Sequence, residues 1–312
     1  MGGQEQPIED RPFAMFKHWV PFGWPYGFAS QTHDAKSPKP MSRRTSRSFR
    51  NTIFFLLLVS VLTWQLIASQ KDLSTLPYLR QTEDHSGPRV AIVVFITKPQ
   101  TYMHLSLQNK DRYARLHGYD LFVDYESNSS RGTTWLKFDM VERVIKANQH
   151  DWVWYLDFDT LITNTSVSLT NLISENLANV TMPNDIDLLV TDDCNGLNDG
   201  SFIARSSARS IEFLNGVRAL HDREEVLGGV SLSDQDSMAR FLKTKDPLVQ
   251  HAMRIPQWTI NAFPEEIGCY DTHKRKWEKG MFVIHFAGAW AHVSGEDPTG
   301  QLMKKYEGDI IY

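Results

Sequence analysis

The chain has 312 residues, a net charge of −4 at pH 7 and an apolar fraction of 41%. Its nine Trp, ten Tyr and 17 Phe can bury a substantial core, which excludes a chain that is disordered throughout. Two cysteines exclude a disulfide-dense scaffold and a four-cysteine zinc site. The acidic balance gives no reason to expect a nucleic-acid partner.

The charge is unevenly distributed along the chain. Residues 1–52 hold eight Lys and Arg against four Asp and Glu, whereas the remainder is acidic. Residues 51–70 carry no charge and are almost wholly apolar, which suits one membrane-spanning helix. A buried core helix is the alternative, but the segment has no polar stripe. Four arginines precede the segment: Arg43, Arg44, Arg47 and Arg50.

By the positive-inside rule, these arginines place the N-terminal side of the segment in the cytosol, which predicts a signal anchor of type II topology. We predict a mostly disordered cytosolic tail at 1–50, the anchor at 51–70, a stem at 71–88 and a luminal domain at 89–312. Three glycosylation sequons fall in the predicted luminal part, beginning at Asn128, Asn164 and Asn179. Cys194 and Cys269 could form one disulfide in an oxidising lumen or remain two buried thiols.

The luminal part reads as alternating strands and helices. Strands are predicted at Val90–Ile96, Asp120–Tyr125, Trp152–Leu156, Ile186–Val190 and Met281–Phe286. Helices are predicted at Tyr102–His117, which ends at Gly118, and at Leu136–Asn148, Ser206–His221 and Ser233–Lys243. The alternation predicts an α/β domain with a mostly parallel sheet. Ligands of such sheets bind at the carboxyl ends of strands, which directs attention to Asp157, Asp159 and His285.

Asp157 and Asp159 directly follow the third predicted strand and point to the same side of it. Two carboxylates at one strand end repel each other, and a divalent cation resolves that conflict. Oxygen ligands suit Mg²⁺ or Mn²⁺, and an imidazole from His285 would favour Mn²⁺. Alternatively, His285 is a satisfied core residue of its apolar strand.

Three further segments have both a structural and a functional interpretation. Ser233-Asp234-Gln235-Asp236 is typical of a helix N-cap with acids in the first turn, or it lies in the site. Asn195–Phe202 is rich in turn formers and predicts a loop, either plain or beside a polar ligand. Lys137 lies on a solvated helix face or contacts a ligand.

The run Tyr155–Leu161 also resembles the first motif of haloacid-dehalogenase-type phosphatases. In that family the first Asp is a nucleophile and the second a general acid. The motif usually begins its domain, whereas here it lies about 68 residues into the domain, behind an anchor. The phosphatase remains a minor alternative.

An ordered set of motifs over roughly residues 90–290 resembles glycosyltransferase family 34. This family comprises the fungal galactosyl- and mannosyltransferases and the plant xyloglucan xylosyltransferases. The motifs are Asn109-Lys-x-x-Tyr113 with His117-Gly-Tyr119, Trp135-Leu-Lys137, Trp154-Tyr-Leu-Asp-Phe-Asp159, Gly196-Leu-Asn-Asp-Gly-Ser-Phe202 with Arg205, Ser233-Asp-Gln235, Pro256-Gln257 with Asn261, and His285-Phe-Ala-Gly288. Each is weak alone, but together and in order they are specific.

The resemblance implies a GT-A-type, Rossmann-like domain and a nucleotide-sugar donor, UDP-galactose or GDP-mannose. It also implies Mn²⁺ and retention at the anomeric carbon. Asp157, Asp159 and His285 would bind the metal. Thr97 would lie near the nucleotide, and Lys137 and Asn198 would contact the donor. Asp234 and Gln235 would sit near the transferred sugar, with Gln235 close to the reacting carbon.

Glutamine is a poor nucleophile, so we favour same-face displacement, with Gln235 stabilising the oxocarbenium-like state. One departure from the family pattern concerns the residue that would bind the diphosphate of the donor. Plant relatives carry a basic residue shortly after the His-Phe-x-Gly segment, whereas Ala289 and Trp290 follow here and His292 is the nearest basic residue.

The leading hypothesis is a single-pass Golgi enzyme whose luminal domain transfers galactose or mannose to a glycan acceptor, such as a protein-linked glycan. The alternative, which the sequence after Gly288 supports, is a non-catalytic subunit in a complex with other Golgi transferases. Neither the donor sugar nor the linkage can be read from the sequence, because a few pocket residues decide between hexoses.

Overall fold

The computed structural model describes residues 87–125 and 130–312, together with Ser60. Within these residues the strands are β1 (Val90–Phe95), β2 (Asp120–Asp124), β3 (Trp152–Leu156), β4 (Thr160–Ile162), β5 (Leu188–Asp193), β6 (Gly196–Arg205), β7 (Ala252–Arg254) and β8 (Val283–His285). The α-helices are α1 (Met103–His117), α2 (Leu136–Lys146), α3 (Leu169–Leu177), α4 (Ala208–Gly228), α5 (Asp234–Phe241), α6 (Gln257–Ile260) and α7 (Pro298–Tyr306).

Six strands form one sheet in the order β2-β1-β3-β6-β5-β7. β1 is parallel to β2 and β3, and β5 is parallel to β7. Only β6 runs against its neighbours in this sheet, so the carboxyl ends of the other five strands share one edge. The predicted α/β domain with a mostly parallel sheet is confirmed. A second, two-stranded sheet pairs β4 antiparallel with β8.

Both faces of the main sheet are covered. Odd-numbered side chains of β1, such as Ala91 and Val93, pack with α2, α4 and α5 in one apolar core. Even-numbered ones, such as Ile92, pack with α1, α3 and β8 in another. This two-sided burial explains why β1 and β3 are continuous apolar runs rather than alternating ones.

The predicted strands and helices are found with shifts of at most three residues at their ends, except that α4 continues to Gly228, seven residues beyond its predicted end. α1 stops at Gly118, whose φ of 67° is the left-handed conformation expected of a glycine C-cap. The loop predicted at Asn195–Phe202 is wrong, because most of that run belongs to β6, whose buried face carries site residues. Asn195 belongs to the turn in which the chain reverses from β5 to β6, whereas Gly200 lies within the strand in close contact with the site.

Several predictions concern residues outside the described part. These are the cytosolic tail at 1–50, the anchor at 51–70 apart from Ser60, most of the stem at 71–88 and the sequon at Asn128. Among the described residues, no helix is long and apolar enough to cross a membrane.

Candidate active site

The pairing of β4 with β8 brings His285 to the acidic loop after β3, which consists of Asp157, Phe158 and Asp159. Thr160 lies opposite His285 in this register, and the Phe286 N–H donates to the Asp159 carbonyl oxygen over 3.0 Å. Asp157 and Asp159 flank Phe158 at the carboxyl end of β3. The two short strands therefore join residues that are more than 120 positions apart in the sequence.

Asp157, Asp159 and His285 each offer a ligand atom within 4.8 Å of the others. His285 Nε2 lies 3.2 Å from Asp159 Oδ1 and 3.9 Å from Asp157 Oδ2. His285 is 2% exposed, and its Nδ1 is 2.6 Å from Asn261 Oδ1. This contact orients the ring and directs Nε2 at the carboxylates, as is usual for a metal-binding imidazole. Two carboxylates and one imidazole fit Mn²⁺.

The pKa values of the two carboxyl groups are pushed apart. Burial and the charge of Asp159 raise the pKa of Asp157, although Lys137 opposes them. Burial alone would also raise the pKa of Asp159, but the neighbouring His285 outweighs it and lowers that pKa. A divalent cation would stabilise both ionised forms at once.

Gly200 leaves the space that these side chains occupy. Its carbonyl accepts a 2.7 Å hydrogen bond from the Asp157 N–H. A Cβ at this position would overlap His285 Cε1 and come within 2.7 Å of Asp157 Oδ2. The glycine in the middle of β6 is therefore required by the close approach of the three candidate ligands.

Asn261 and Asn198 form a buried amide chain behind His285. Asn261 Nδ2 donates to Thr191 Oγ1 over 2.8 Å and to Asn198 Oδ1 over 2.9 Å. Asn198 Nδ2 in turn donates to Asp193 Oδ2 over 3.0 Å. Asn198, predicted to contact the donor, is 6% exposed and supports the orientation of His285 through this chain.

Lys137 is the centre of a second cluster. Its Nζ lies 2.8 Å from Asp234 Oδ2, 2.9 Å from Asp199 Oδ1 and 3.9 Å from Asp157 Oδ1. Burial acts to lower the pKa of Lys137, but the three carboxylates outweigh it and raise that pKa well above its usual value. The interpretation of Lys137 as part of a solvated face is wrong, because the residue is 4% exposed.

The start of α5 combines both interpretations of Ser233–Asp236. Ser233 Oγ accepts the Asp236 N–H over 3.0 Å, which confirms the predicted N-cap. Asp234 is buried, and Thr134 Oγ1 donates to it in addition to the Lys137 contact. Gln235 Oε1 accepts the Asp199 N–H over 3.3 Å, so Gln235 lies beside the Lys137 cluster.

A family model described as the galactosyl transferase GMA12/MNN10 family matches residues 90–294, and all the site residues above fall within that range. The chain belongs to this family. The resemblance to glycosyltransferase family 34 is thereby confirmed, and the chain is a glycosyltransferase.

Individual relatives agree with this assignment. The probable alpha-1,2-galactosyltransferase gmh1 of Schizosaccharomyces pombe is 28% identical over 65% of this chain and 67% of its own length. The probable alpha-1,6-mannosyltransferase MNN10 of Saccharomyces cerevisiae is 26% identical over 51% of this chain and 47% of its own length.

A solved structure shares the fold of this transferase. It is that of a glycosyltransferase involved in the glycosylation of the major capsid of PBCV-1. The TM-score is 0.52 at 16% identity, and the match covers 70% of this chain and 100% of the other. At this identity the match shows the fold alone.

Among the described residues, no hydrogen bond or ion pair joins Thr97 or the segment after Gly288 to the site residues above. Thr97 follows the end of β1 and is partly exposed at the same sheet edge as Asp157. After Gly288, which has a φ of 62°, residues Ala289–Ala291 form a short 3₁₀ turn. Trp290 in this turn is 79% exposed. His292, the nearest basic residue after Gly288, directly follows this turn.

Asp199 and Gly200 are site residues of the transferase that sequence reasoning did not assign. Both lie in the Gly196–Phe202 motif, for which a loop was predicted. The structure shows instead that one strand places Asp199 beside Lys137 and Gly200 beside His285. Asn261 was recognised only as part of a motif, and its partner His285 is 24 residues away.

A cavity of about 590 Å³ lies elsewhere, lined by residues such as Trp258, Arg275 and Met281, and none of the site residues lines it.

Cys194 and Cys269 form a disulfide, which decides between the two alternatives left by the sequence. The bond joins the turn between β5 and β6 to the segment after α6. Both sulfurs are consumed, so their proximity to Asp193 does not make a metal site.

Proposed function

We propose that the protein is a retaining, Mn²⁺-dependent hexosyltransferase with a GT-A-type nucleotide-sugar site. It moves galactose or mannose from UDP-galactose or GDP-mannose to a glycan acceptor. The observation that carries this proposal is the convergence of Asp157, Asp159 and His285, whose ligand atoms lie within 4.8 Å of one another. The relatives named as galactosyl- and mannosyltransferases support the choice of sugars.

The site residues have separate proposed roles in the reaction. Asp157, Asp159 and His285 would hold the ion, which when bound supplies positive charge to neutralise a departing diphosphate. Asn261 keeps the imidazole in place through its 2.6 Å contact. Gln235, partly exposed beside Asp199, stabilises positive charge at the anomeric carbon through its amide oxygen.

The buried carboxylates support same-face displacement. A double displacement needs a carboxylate that can reach the anomeric carbon, but Asp199 and Asp234 are 2% and 4% exposed and both contact Lys137. In same-face displacement the bond from the sugar carbon to the diphosphate oxygen breaks as the acceptor oxygen bonds to that carbon on the same face. The acceptor's proton passes to the leaving phosphate oxygen.

We further propose that the domain lies in the Golgi lumen behind the predicted anchor at 51–70. The disulfide between Cys194 and Cys269 supports this location, since such bonds persist in oxidising compartments. The complete set of candidate ligands argues for a catalytic enzyme over a non-catalytic subunit. Membership of a transferase family leaves the phosphatase alternative without support.

The test is a donor screen with the purified full-length chain in detergent. We expect hexose transfer from UDP-galactose or GDP-mannose that needs Mn²⁺, stops with a chelator and gives a product with retained anomeric configuration by NMR. Asp159→Ala should reduce transfer by more than about 100-fold, because loss of even an outer-shell partner of a metal ligand costs 10–100-fold. Asp151→Asn is the matched control, since Asp151 is an exposed acid at the opposite end of β3.

Two results would overturn the proposal. Full activity of Asp159→Ala would remove the metal assignment. Absence of transfer with either donor, together with co-purification with an active homologue, would favour the non-catalytic subunit.

A further inference from the structure

Lys110 is a buried lysine that none of the roles above uses. It lies in α1 and is 0% exposed. Its ammonium donates to the Thr160 carbonyl oxygen and to Ser106 Oγ, both over 2.8 Å. A buried ammonium is costly unless its hydrogen bonds are made, so these partners account for its presence.

Ser106 links this ammonium indirectly to the other side of the acidic loop. Ser106 Oγ donates to the Phe158 carbonyl oxygen over 2.6 Å. Lys110 therefore binds the Thr160 carbonyl directly and the Phe158 carbonyl through one hydroxyl. These two carbonyls belong to the residues on either side of Asp159, so the backbone around that carboxylate is held at both ends.

The same turn of α1 also holds β4. Asn109 Nδ2 donates to the Ile162 carbonyl over 2.9 Å, and Asn109 Oδ1 accepts the Ile162 N–H over 2.8 Å. Because β4 pairs with β8, its placement sets the position of His285 opposite Thr160. Two consecutive residues of one helix thus fix the backbone of the acidic loop and of the strand that faces His285.

We propose that Lys110, acting with Ser106, is a positioning residue that holds Asp159 in the geometry needed for metal binding. This inference rests on the proposed Mn²⁺ site. Lys110 touches neither metal nor substrate in this role; it sets the direction of the Asp159 side chain through the carbonyls of Phe158 and Thr160.

The experiment measures Mn²⁺ binding to the purified full-length chain by titration calorimetry and by the electron paramagnetic resonance spectrum of the bound ion. The variants are Lys110→Met, which keeps the side-chain length without hydrogen bonds, and Ser106→Ala, which removes only the link to Phe158. We expect both to weaken Mn²⁺ binding by about 10–100-fold, the usual cost of losing a partner that orients a metal ligand. We also expect a broadened spectrum, because the ligand geometry becomes heterogeneous.

Arg218→Met is the matched control for loss of a buried cation. Arg218 is 9% exposed and pairs with Asp139 and Glu142, away from the acidic loop. We expect it to lower the melting temperature and leave the dissociation constant of Mn²⁺ unchanged. If Lys110→Met does not fold, Ser106→Ala decides alone, because it removes a single hydroxyl.

Three results would count against positioning. Wild-type affinity in both Lys110→Met and Ser106→Ala would overturn it while leaving the metal site intact. Tighter binding in Lys110→Met with no change in Ser106→Ala would assign Lys110 a purely repulsive electrostatic effect and would also overturn it. Absence of Mn²⁺ binding by the wild-type chain would overturn the metal site of the proposed function as well.

Discussion

At the scale of single residues, the site depends on a few side chains that are buried and mutually paired. Lys137 and His285 are 4% and 2% exposed, yet each faces carboxylates within 4 Å. Such groups are stable only when their partners are present, because a buried polar or charged group without a partner is unfavourable. The smallest residue of the site, Gly200, is equally constrained, since two candidate ligands occupy the space beside its Cα.

Gly200→Ala should therefore displace the candidate metal ligands. The new methyl group would meet His285 Cε1 and Asp157 Oδ2, so the free energy of unfolding should fall by about 1–3 kcal/mol. Mn²⁺ affinity should fall with it. Urea unfolding and Mn²⁺ calorimetry measure the two effects.

Gly268→Ala is the matched control, because nothing lies within 4 Å of a Cβ at Gly268. We expect this variant to bind Mn²⁺ like the wild type. Unchanged Mn²⁺ affinity in Gly200→Ala would show that the close approach at Gly200 does not constrain the ligands.

At the scale of elements, Glu142 forms one ion pair that joins α2 to α4 and another within α2. Glu142 Oε2 lies 2.6 Å from Arg218 Nη1, and Glu142 Oε1 lies 2.5 Å from Lys146 Nζ. Burial would raise the pKa of Glu142, but Lys146 and Arg218 outweigh it and lower that pKa. The pair between Glu142 and Arg218 therefore contributes to the stability of the fold on the sheet face that α2 and α4 cover.

Glu142→Gln should destabilise the fold in a pH-dependent way. The pKa of Glu142 is lower in the folded state than in the unfolded state, so its contribution is full above the unfolded pKa of about 4.3 and is lost as pH falls through the folded value. At pH 7 we expect a loss of about 1.5–3 kcal/mol, the range for hydrogen bonds to charged groups.

Urea unfolding of wild type and variant between pH 7 and pH 3 measures this difference. It should shrink below about pH 4. Glu212→Gln, at an exposed position of α4, should show little difference at any of these pH values. A constant difference between wild type and Glu142→Gln across the range would contradict the pKa assignment.

At the scale of the whole molecule, a single covalent bond links segments that the sheet alone does not join. The disulfide between Cys194 and Cys269 spans 75 positions and connects the β5–β6 turn to the segment after α6. The β5–β6 turn directly follows Asp193, which accepts a hydrogen bond from Asn198 of the amide chain. The bond therefore restrains the unfolded chain and the surroundings of the site together.

Replacing both cysteines by serine should lower the free energy of unfolding by about 4.5 kcal/mol, the chain-entropy value for a loop of this length. Denaturant titration of oxidised wild type and of the double variant measures the loss. Reduced wild type should behave like the double variant. Equal stability of all three forms would show that the bond adds nothing to the fold.

Local patterns in the sequence predicted much of the fold and part of the site. The apolar runs at β1 and β3 and the helical spacing in α2 are local signals, and Asp157 and Asp159 follow one of those runs directly. The β6 run was misread because its glycines and asparagines are locally typical of turns. Their real cause, the crowding of Gly200 against His285, joins residues 85 positions apart and leaves no local trace.

The sequence by itself determined the alternating architecture, the acidic strand end and, through ordered motifs, the family. These features depend on periodicity and on residue order, and both can be read from the sequence without knowing which segments come into contact. Only the tertiary structure decided that Asn261 orients His285, that Lys137 is buried among three carboxylates, and that the two cysteines are bonded. Each of these contacts joins segments separated by at least 20 residues, and the strand pairing that brings such segments together depends on the packing of the whole domain.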